Sequence, residues 1–208
     1  MEKHFVIVAY GDLIDYTDWS RKVVNLNEQI WPMEEREAFM GKFYEEIRWF
    51  VLSSDFKVKY LGDGFMILRE LGSRGTRVHD ALRFLFGIYK LGARMQGIIK
   101  KSRFPPKGFR LRVVAGMAGK VNMPDPNSKD KVAEEYTSPA IDMSERLLHV
   151  EKEWPLICHG SVVNLIGHNF KNLIFSHLKN VKYDKKKVTP EDAKDLWSFG
   201  FEKGFHIA

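Results

Sequence analysis

The alternation of apolar patterns along these 208 residues predicts an α+β fold with a ferredoxin-like βαββαβ core and αβ additions at the C-terminus. Two long segments, 33–52 and 77–99, carry apolar residues at helical spacing, and short strand patterns flank both. Gly62-Asp63-Gly64 separates two of these strand patterns as a hairpin turn would. We therefore expect a single domain over 1–208, with a core at about 4–160 and an extension at 161–208.

The first half of the expected core is the most regular. A strand over 4–11 precedes the first helix, in which Phe39, Phe43, Ile47 and Phe50 share one face and glutamates lie off it. The hairpin strands then cover 56–61 and 64–70. The second helix, 77–99, carries a similar apolar stripe.

The second half begins after Pro105-Pro106-Lys107-Gly108, which interrupts the pattern. We expect a long strand over 109–122, bulged at Gly116 or Gly119, and a loop from Met123 to Val132. Thr189-Pro190-Glu191-Asp192 has the form of a capping box that opens a last helix. The remaining expected elements are a helix over 139–149, a strand from Pro155 to Cys158, a helix from Ser161 to Ile166, and the end of the last helix at Gly200.

Composition limits the class of protein. The apolar fraction of 44% supports a sizeable core, and no apolar run is long enough to span a bilayer. With no signal peptide pattern and the lone Cys158, we expect a soluble cytoplasmic protein. The net charge of +6 favours anionic partners, although a run such as Lys185-Lys186-Lys187 is more typical of a solvated loop.

Two aspartates at strand ends are the strongest chemical signal. Asp12 follows the first strand, and Asp63 lies in the hairpin turn. The predicted core would bring them close together, and Mg²⁺ prefers such oxygen ligands, usually shared with substrate phosphates. Two ions held in this way could clamp an in-line phosphoryl displacement. The alternative is that both aspartates are only turn residues.

Four segments together resemble the catalytic domain of class III nucleotide cyclases. Gly11 to Thr17 resembles the first metal motif of that family, and Lys59 to Gly64 resembles the second. Leu111 to Val121 resembles its long strand, and Tyr136 to Leu147 resembles the helix that carries the catalytic Asn and Arg. The resemblance implies a cyclase-type ferredoxin-like core and a homodimer with two composite sites.

The resemblance also implies roles for individual residues. Asp12 and Asp63 would bind two Mg²⁺ or Mn²⁺ ions together with the backbone carbonyl of Leu13. Arg146, from the other chain, would stabilise charge on the α-phosphate while the ribose 3′-hydroxyl attacks it, leaving a 3′,5′-cyclic nucleotide and pyrophosphate. The β- and γ-phosphates would lie on the amides at the start of the next helix, those of Ile14, Asp15, Tyr16 and Thr17.

Several residues depart from the family pattern. The base-reading pair of the family falls on Lys59 and Glu135. Lys59 argues against GTP. Glu135 is one methylene longer than the Asp common in adenylate cyclases, so it would narrow the pocket and favour a smaller pyrimidine base. Asp142 replaces the catalytic Asn and, when ionised, only accepts hydrogen bonds. Arg112 lies one residue before the position of the family's phosphate-contacting Arg, so it faces the wrong side unless a bulge corrects the register.

A short cyclase domain with a divergent base pocket resembles the pyrimidine cyclases of bacterial anti-phage signalling. That resemblance implies a uridylate cyclase that makes cyclic UMP for a separate effector, with CTP as the next substrate. The alternatives are an adenylate cyclase making cyclic AMP and an inactive nucleotide-binding domain of the same fold. An RNA-binding ferredoxin-like sheet is a further alternative, but its aromatic signature is missing, so a nucleic-acid partner is not expected.

Overall fold

The computed structural model describes residues 3–25, 31–52, 55–73, 75–103, 105–124, 132–151, 156–167 and 174–200. The elements of the core, in chain order, are β1 (Lys3–Ile14), α1 (Tyr16–Asn25), α2 (Trp31–Leu52), β2 (Lys57–Tyr60), β3 (Gly64–Glu70), α3 (Arg77–Lys101) and β4 (Gly108–Pro124). The elements that follow are β5 (Val132–Thr137), α4 (Pro139–Arg146), a 3₁₀ turn (Leu147–His149), β6 (Val150–Glu151), β7 (Leu156–His159), α5 (Gly160–Ile166), β8 (Phe175–His177), β9 (Lys182–Tyr183), α6 (Pro190–Lys194) and β10 (Leu196–Phe199).

The central sheet confirms the predicted fold class. Its strands run in the order β2-β3-β1-β4-β7-β10-β8, and β5 pairs with the far end of β4. The first four are antiparallel neighbours, which is the arrangement of a ferredoxin-like βαββαβ core. Strand β7 adds to β4 in parallel, and β10 and β8 extend the sheet further. The C-terminal extension is thus continuous with the core sheet.

The two faces of the sheet bury different helices. Along β1, Ile7, Ala9 and Leu13 point toward α2, α3 and α5, with which they form the main core. The opposite face carries Val6, Val8 and Tyr10, and we call it the site face. Helix α4 covers part of the site face, where Ala140 packs near Val114 of β4. The helix stripe predicted over 33–52 is confirmed, since Phe39, Phe43 and Ile47 are buried.

The structure corrects two expectations about strand β4 and the segment that follows it. Strand β4 has no bulge in its pairing with β1, because the register runs unbroken from Ile14 opposite Gly108 to Lys3 opposite Gly119. The end of the expected loop at Val132 is instead the start of β5, which pairs with β4, while 125–131 lie outside the described residues. Both corrections arise from strand pairing, which local sequence does not encode.

The last helix is shorter than its sequence predicts. Thr189 caps α6, and its hydroxyl accepts from the amide of Asp192 at 3.2 Å, so the predicted start is confirmed. The helix ends at Lys194 rather than Gly200. The chain from Leu196 to Phe199 forms β10 instead, because pairing with β7 and β8 buries it in the sheet.

Within the described parts of the chain, none of the helices has the length and apolar character that crossing a membrane requires.

Candidate functional site

The end of β1 and the hairpin turn form the first part of the site. Asp12 lies opposite Gly64 of β3 on one side and opposite Arg110 of β4 on the other. The amide of Leu13 donates to the carbonyl oxygen of Asp63 at 3.2 Å, which ties the turn to the strand end. The structure thus brings Asp12 and Asp63 together, as the order of the elements predicts.

The two carboxylates repel each other in a partly buried place. Burial and, next, the charge of Asp63 raise the pKa of Asp12 to about 7, against an opposing effect of the nearby Arg110 charge. A carboxyl group whose pKa is raised in this way is unfavourable in its ionised form. A cation between the two carboxylates would relieve both the repulsion and the desolvation.

The space beside Asp12 exists because residue 64 is a glycine. A Cβ atom on Gly64 would lie 2.6 Å from the carbonyl oxygen of Gly11 and 3.3 Å from Oδ1 of Asp12. Among the described residues, no group of three or more His, Cys, Asp or Glu side chains gathers in one place. A pair of carboxylates completed by backbone, water and phosphate oxygens still fits Mg²⁺ or Mn²⁺, because Mg²⁺ usually retains water and substrate oxygens.

The raised pKa of Asp12 predicts a pH-dependent cost to stability. The folded state keeps this proton up to about pH 7, whereas an ordinary aspartate, with a pKa of 3.8, releases it earlier. Stability therefore falls as pH rises between these values, and the full penalty remains above pH 7. We expect Asp12→Asn to remove the penalty and to raise the unfolding temperature in the presence of a chelator.

Thermal unfolding measures this effect directly. The gain should be larger at about pH 8 than at about pH 5, with about 2–4 °C for each kcal/mol recovered in a chain of this size. Exposed Asp55 offers a matched control, since Asp55→Asn should leave the unfolding temperature nearly unchanged at both values. An equal gain at both pH values would contradict the assignment.

The junction between β1 and α1 holds the residues expected to contact phosphates. Ile14 still belongs to β1, and Asp15 takes a left-handed conformation with φ 57° that turns the chain into α1. The carbonyl of Asp15 accepts from the amide of Trp19 at 2.8 Å, and its carboxylate pairs with Lys107. Helix α1 then starts with Tyr16 and Thr17, whose amides precede the first intrahelical donor and so suit an anion.

A second group of predicted residues lies across the site face from β2. Nζ of Lys59 is 3.4 Å from both carboxylate oxygens of Glu135. Lys59 is opposite Met66, Met66 is opposite Tyr10, and Tyr10 is opposite Arg112, so these side chains form one row on the site face. Glu135 reaches this row from β5, the strand that the sequence did not predict.

A pocket of about 280 Å³ opens at this ion pair, and we call it the Lys59 pocket. Nζ of Lys57 donates to the hydroxyl of Tyr136 at 2.7 Å, and that hydroxyl donates to Glu70. This brace fixes one wall of the pocket. The lining residues are Tyr10, Lys57, Val58, Lys59, Leu61, Met66, Leu68, Glu135, Tyr136 and Ile141.

Helix α4 brings Asp142 and Arg146 to the same region. Ser138 caps it, accepting from the amide of Ala140 at 3.0 Å and donating to the carbonyl of Met117 at 2.7 Å. Tyr10 has a raised pKa because of burial, the charge of Glu145 and the charge of Asp142. Asp142 thus lies within electrostatic reach of Tyr10, and it lines the same hollow as Arg146, beyond the end of α4. Being four residues apart, Asp142 and Arg146 share one side of the helix.

Arg146 faces an open, basic hollow of about 640 Å³ beyond the end of α4. Its Nη2 is 3.7 Å from Oδ2 of Asp192. Lys185, Lys186 and Lys187 line the same hollow, and Nζ of Lys187 is 3.2 Å from Nε2 of His149. The lysine run is exposed, as expected of a loop, but the fold places it beside Arg146.

Arg110 lies beside the candidate metal pair, a position that no sequence pattern predicts. Its backbone lies opposite Asp12, and its Nη1 donates to the carbonyl of Leu148 at 2.9 Å, just after α4. The side chain therefore links the neighbourhood of Asp12 to the turn that follows Arg146. Only the register of β1 with β4 shows this position, and no local motif signals it.

The solved structures that resemble this chain share one fold. No protein-family profile matches the sequence, and no curated protein matches it. Among solved structures, the adenylyl cyclase CyaB from P. aeruginosa superposes with a TM-score of 0.68 at 13% identity, covering 98% of this chain and 97% of that one. The guanylate cyclase domain of RhGC from Catenaria anguillulae, solved with GTP, gives 0.63 at 10% identity, covering 97% and 99%.

A third similar structure is much longer than this chain. A bacterial light-regulated adenylyl cyclase superposes with a TM-score of 0.64 at 12% identity over 96% of this chain, which spans 53% of that protein's length. At these identities the comparison concerns architecture. The chain has the fold of adenylyl and guanylyl cyclase domains.

Proposed function

We propose that this protein is a nucleotide cyclase, which converts a nucleoside triphosphate into a 3′,5′-cyclic nucleotide and pyrophosphate. The observation that carries the proposal is the convergence of two residue groups on one face of a cyclase-type sheet. One group is the carboxylate pair of Asp12 and Asp63. The other is the Lys59–Glu135 pair beside α4, which carries Asp142 and Arg146.

In this proposal the first group holds metal. Asp12 and Asp63, with the carbonyl of Leu13, would bind two Mg²⁺ or Mn²⁺ ions. Such ions, when bound, activate the ribose 3′-hydroxyl and balance charge on the triphosphate. The amides of Ile14, Asp15, Tyr16 and Thr17 would hold the β- and γ-phosphates at the start of α1.

The second group completes the site from the other chain of a homodimer. Arg146 would lie against the α-phosphate and stabilise the charge that develops there, while Lys185, Lys186 and Lys187 would attract the polyphosphate. Tyr60 and Leu61 support a partner surface, because both are exposed apolar residues next to the hairpin turn. A composite site places the Asp12 group of one chain opposite the Arg146 group of the other.

The Lys59 pocket would bind the base, and we favour uracil. Lys59 can donate to a carbonyl oxygen of uracil, and Glu135 can accept from its N3–H. Their ion pair is half-exposed, so it is cheap to rearrange around a ligand. The volume of about 280 Å³ lies at the low end for ligand pockets, which suits a pyrimidine better than a purine.

One experiment tests both the reaction and the base. The protein is incubated separately with UTP, CTP, ATP and GTP in the presence of Mn²⁺, and products are identified by mass spectrometry. We expect cyclic UMP as the main product and cyclic CMP next. Cyclic AMP alone would support the adenylate alternative, because adenine, like uracil, offers one acceptor to Lys59 and one donor to Glu135. No product from any triphosphate would support an inactive nucleotide-binding domain.

If the product is cyclic UMP, it would act as an anti-phage second messenger through a separate effector protein. The effector would then have to recognise a cyclic pyrimidine nucleotide.

For Asp142 we predict that substitution improves substrate binding rather than reducing activity. Its carboxylate, when ionised, only accepts hydrogen bonds and adds negative charge where a polyphosphate must bind. We expect Asp142→Asn to lower the KM for the triphosphate several-fold and to keep or raise kcat. Steady-state kinetics with each triphosphate measures this. The control is Asp55→Asn, which neutralises an exposed carboxylate outside the site. A loss of turnover in Asp142→Asn alone would show that the carboxylate itself is needed.

A further inference from the structure

Arg112 is a fully buried cation in the middle of β4. Within the described part of the chain, its hydrogen bonds go to backbone carbonyls: Nη1 donates to Leu111 at 2.9 Å, Nε to Leu147 at 2.9 Å and Nη2 to Val150 at 3.0 Å. The side chain therefore holds the 3₁₀ turn that follows α4. The expectation that Arg112 faces the wrong side is wrong, because its position opposite Tyr10 places it on the site face without any bulge. It does not face a substrate, because the end of α4 buries it completely.

The charge of Arg112 persists despite its burial. Desolvation and, next, the charge of Arg110 lower its pKa to about 9, which still leaves the guanidinium protonated at neutral pH. A buried charge is costly unless it is paired or well hydrogen-bonded. Here the compensation comes from carbonyl dipoles at the C-terminal end of α4, where a cation is favoured.

The clamped carbonyls lie next to a proposed catalytic residue. Leu147 follows Arg146 directly, and Arg110 holds the intervening carbonyl of Leu148 at 2.9 Å. Two arginines of β4 thus fix three carbonyls within four residues. An apolar side chain at position 112 could fill the same volume, but it could not fix the direction of these carbonyls.

We propose that Arg112 is a positioning residue, which holds the end of α4 so that Arg146 and Asp142 point at the substrate. The proposal rests on the proposed function. A misplacement of about 1 Å in a catalytic group can cost about 10²-fold in rate. Arg112→Lys keeps the charge but cannot donate to Leu147 and Val150 in the same plane. We therefore expect kcat to fall about 10²-fold, with a smaller change in KM.

Mixed dimers separate positioning from general stability. In a chain with Arg112→Lys, the Asp12 group is intact and the Arg146 group is misplaced. Mixing it with Asp12→Ala should restore activity, because one site then combines two intact groups. Mixing it with Arg146→Ala should restore nothing, because every site then contains a defective Arg146 group. A variant that damages the whole chain would fail in both mixtures.

Amide exchange provides a measurement that does not need activity. Arg112→Lys should increase exchange in a peptide covering 139–150 and leave β1 and β3 protected. Equal activity of Arg112→Lys and wild type, restoration in the mixture with Arg146→Ala, or unchanged exchange over 139–150 would overturn the proposal. So would a loss of cooperative unfolding in both Arg112→Lys and Arg112→Gln, since Arg112 would then be a general core residue.

The two proposals fail in different ways. A wild-type protein without cyclase activity would refute the proposed function, and the exchange measurement would still decide whether Arg112 holds α4. An active wild type with unaffected Arg112 variants would refute only the positioning role.

Discussion

Replacing either Asp12 or Asp63 by alanine is expected to reduce cyclase turnover by at least about 10³-fold, because metal ions contribute several kcal/mol of transition-state stabilisation. Both side chains converge at one point, where the amide of Leu13 joins the strand end to the hairpin turn. Removing one carboxylate leaves too few oxygens to hold two ions. It also relieves the repulsion between the carboxylates, so the fold should persist.

The measurement is product formation from the preferred triphosphate with Mn²⁺, together with thermal unfolding of each variant. Asp55→Ala is the matched control, because Asp55 is an exposed aspartate in a turn outside the site. Metal binding gives a second readout, since Mn²⁺ should raise the unfolding temperature of the wild type and the control but not of Asp12→Ala. Full turnover in either site variant would falsify the metal assignment.

The second large effect is a recovery of activity on mixing two inactive chains. Asp12→Ala and Arg146→Ala should each be inactive alone. In the mixed dimer, one composite site draws Asp12 from the Arg146→Ala chain and Arg146 from the Asp12→Ala chain, so it contains neither change. With random pairing in a two-fold dimer, we expect about a quarter of wild-type activity.

A negative control with the same design makes the result specific. Asp12→Ala mixed with Asp63→Ala should stay inactive, because both changes damage the same half of every site. Native mass spectrometry of the mixtures should establish that heterodimers form. Recovery in neither mixture, with heterodimers present, would rule out a site shared between two chains.

Local sequence patterns predict several elements of the fold and one part of the candidate site. The apolar stripe of α2, the glycine-flanked turn at Asp63 and the Thr189 cap are each encoded within a few residues, and the structure shows all three. The order of strands and helices was enough to predict the ferredoxin-like core, because few topologies connect such elements without crossing. That order in turn implied that Asp12 and Asp63 would be neighbours.

Other features depended on pairing between distant segments. Strand β5 is recognisable only from its partner β4, and it is this pairing that carries Glu135 to Lys59. The lysine run at 185–187 has the composition of a loop, yet the fold places it beside Arg146. Local signals predict helix for Leu196 to Phe199, but this segment forms a strand because it is buried in the sheet.

The sequence alone determined which residues are available for chemistry and which elements carry them, because spacing and turn chemistry are local properties. The tertiary structure decided which side chains meet. Arg112 shows the difference most clearly: composition makes it one more basic residue, whereas the unbroken register of β4 buries it under the end of α4. Register depends on the pairing of whole strands, and a shift of one residue would have turned the same arginine to the opposite face.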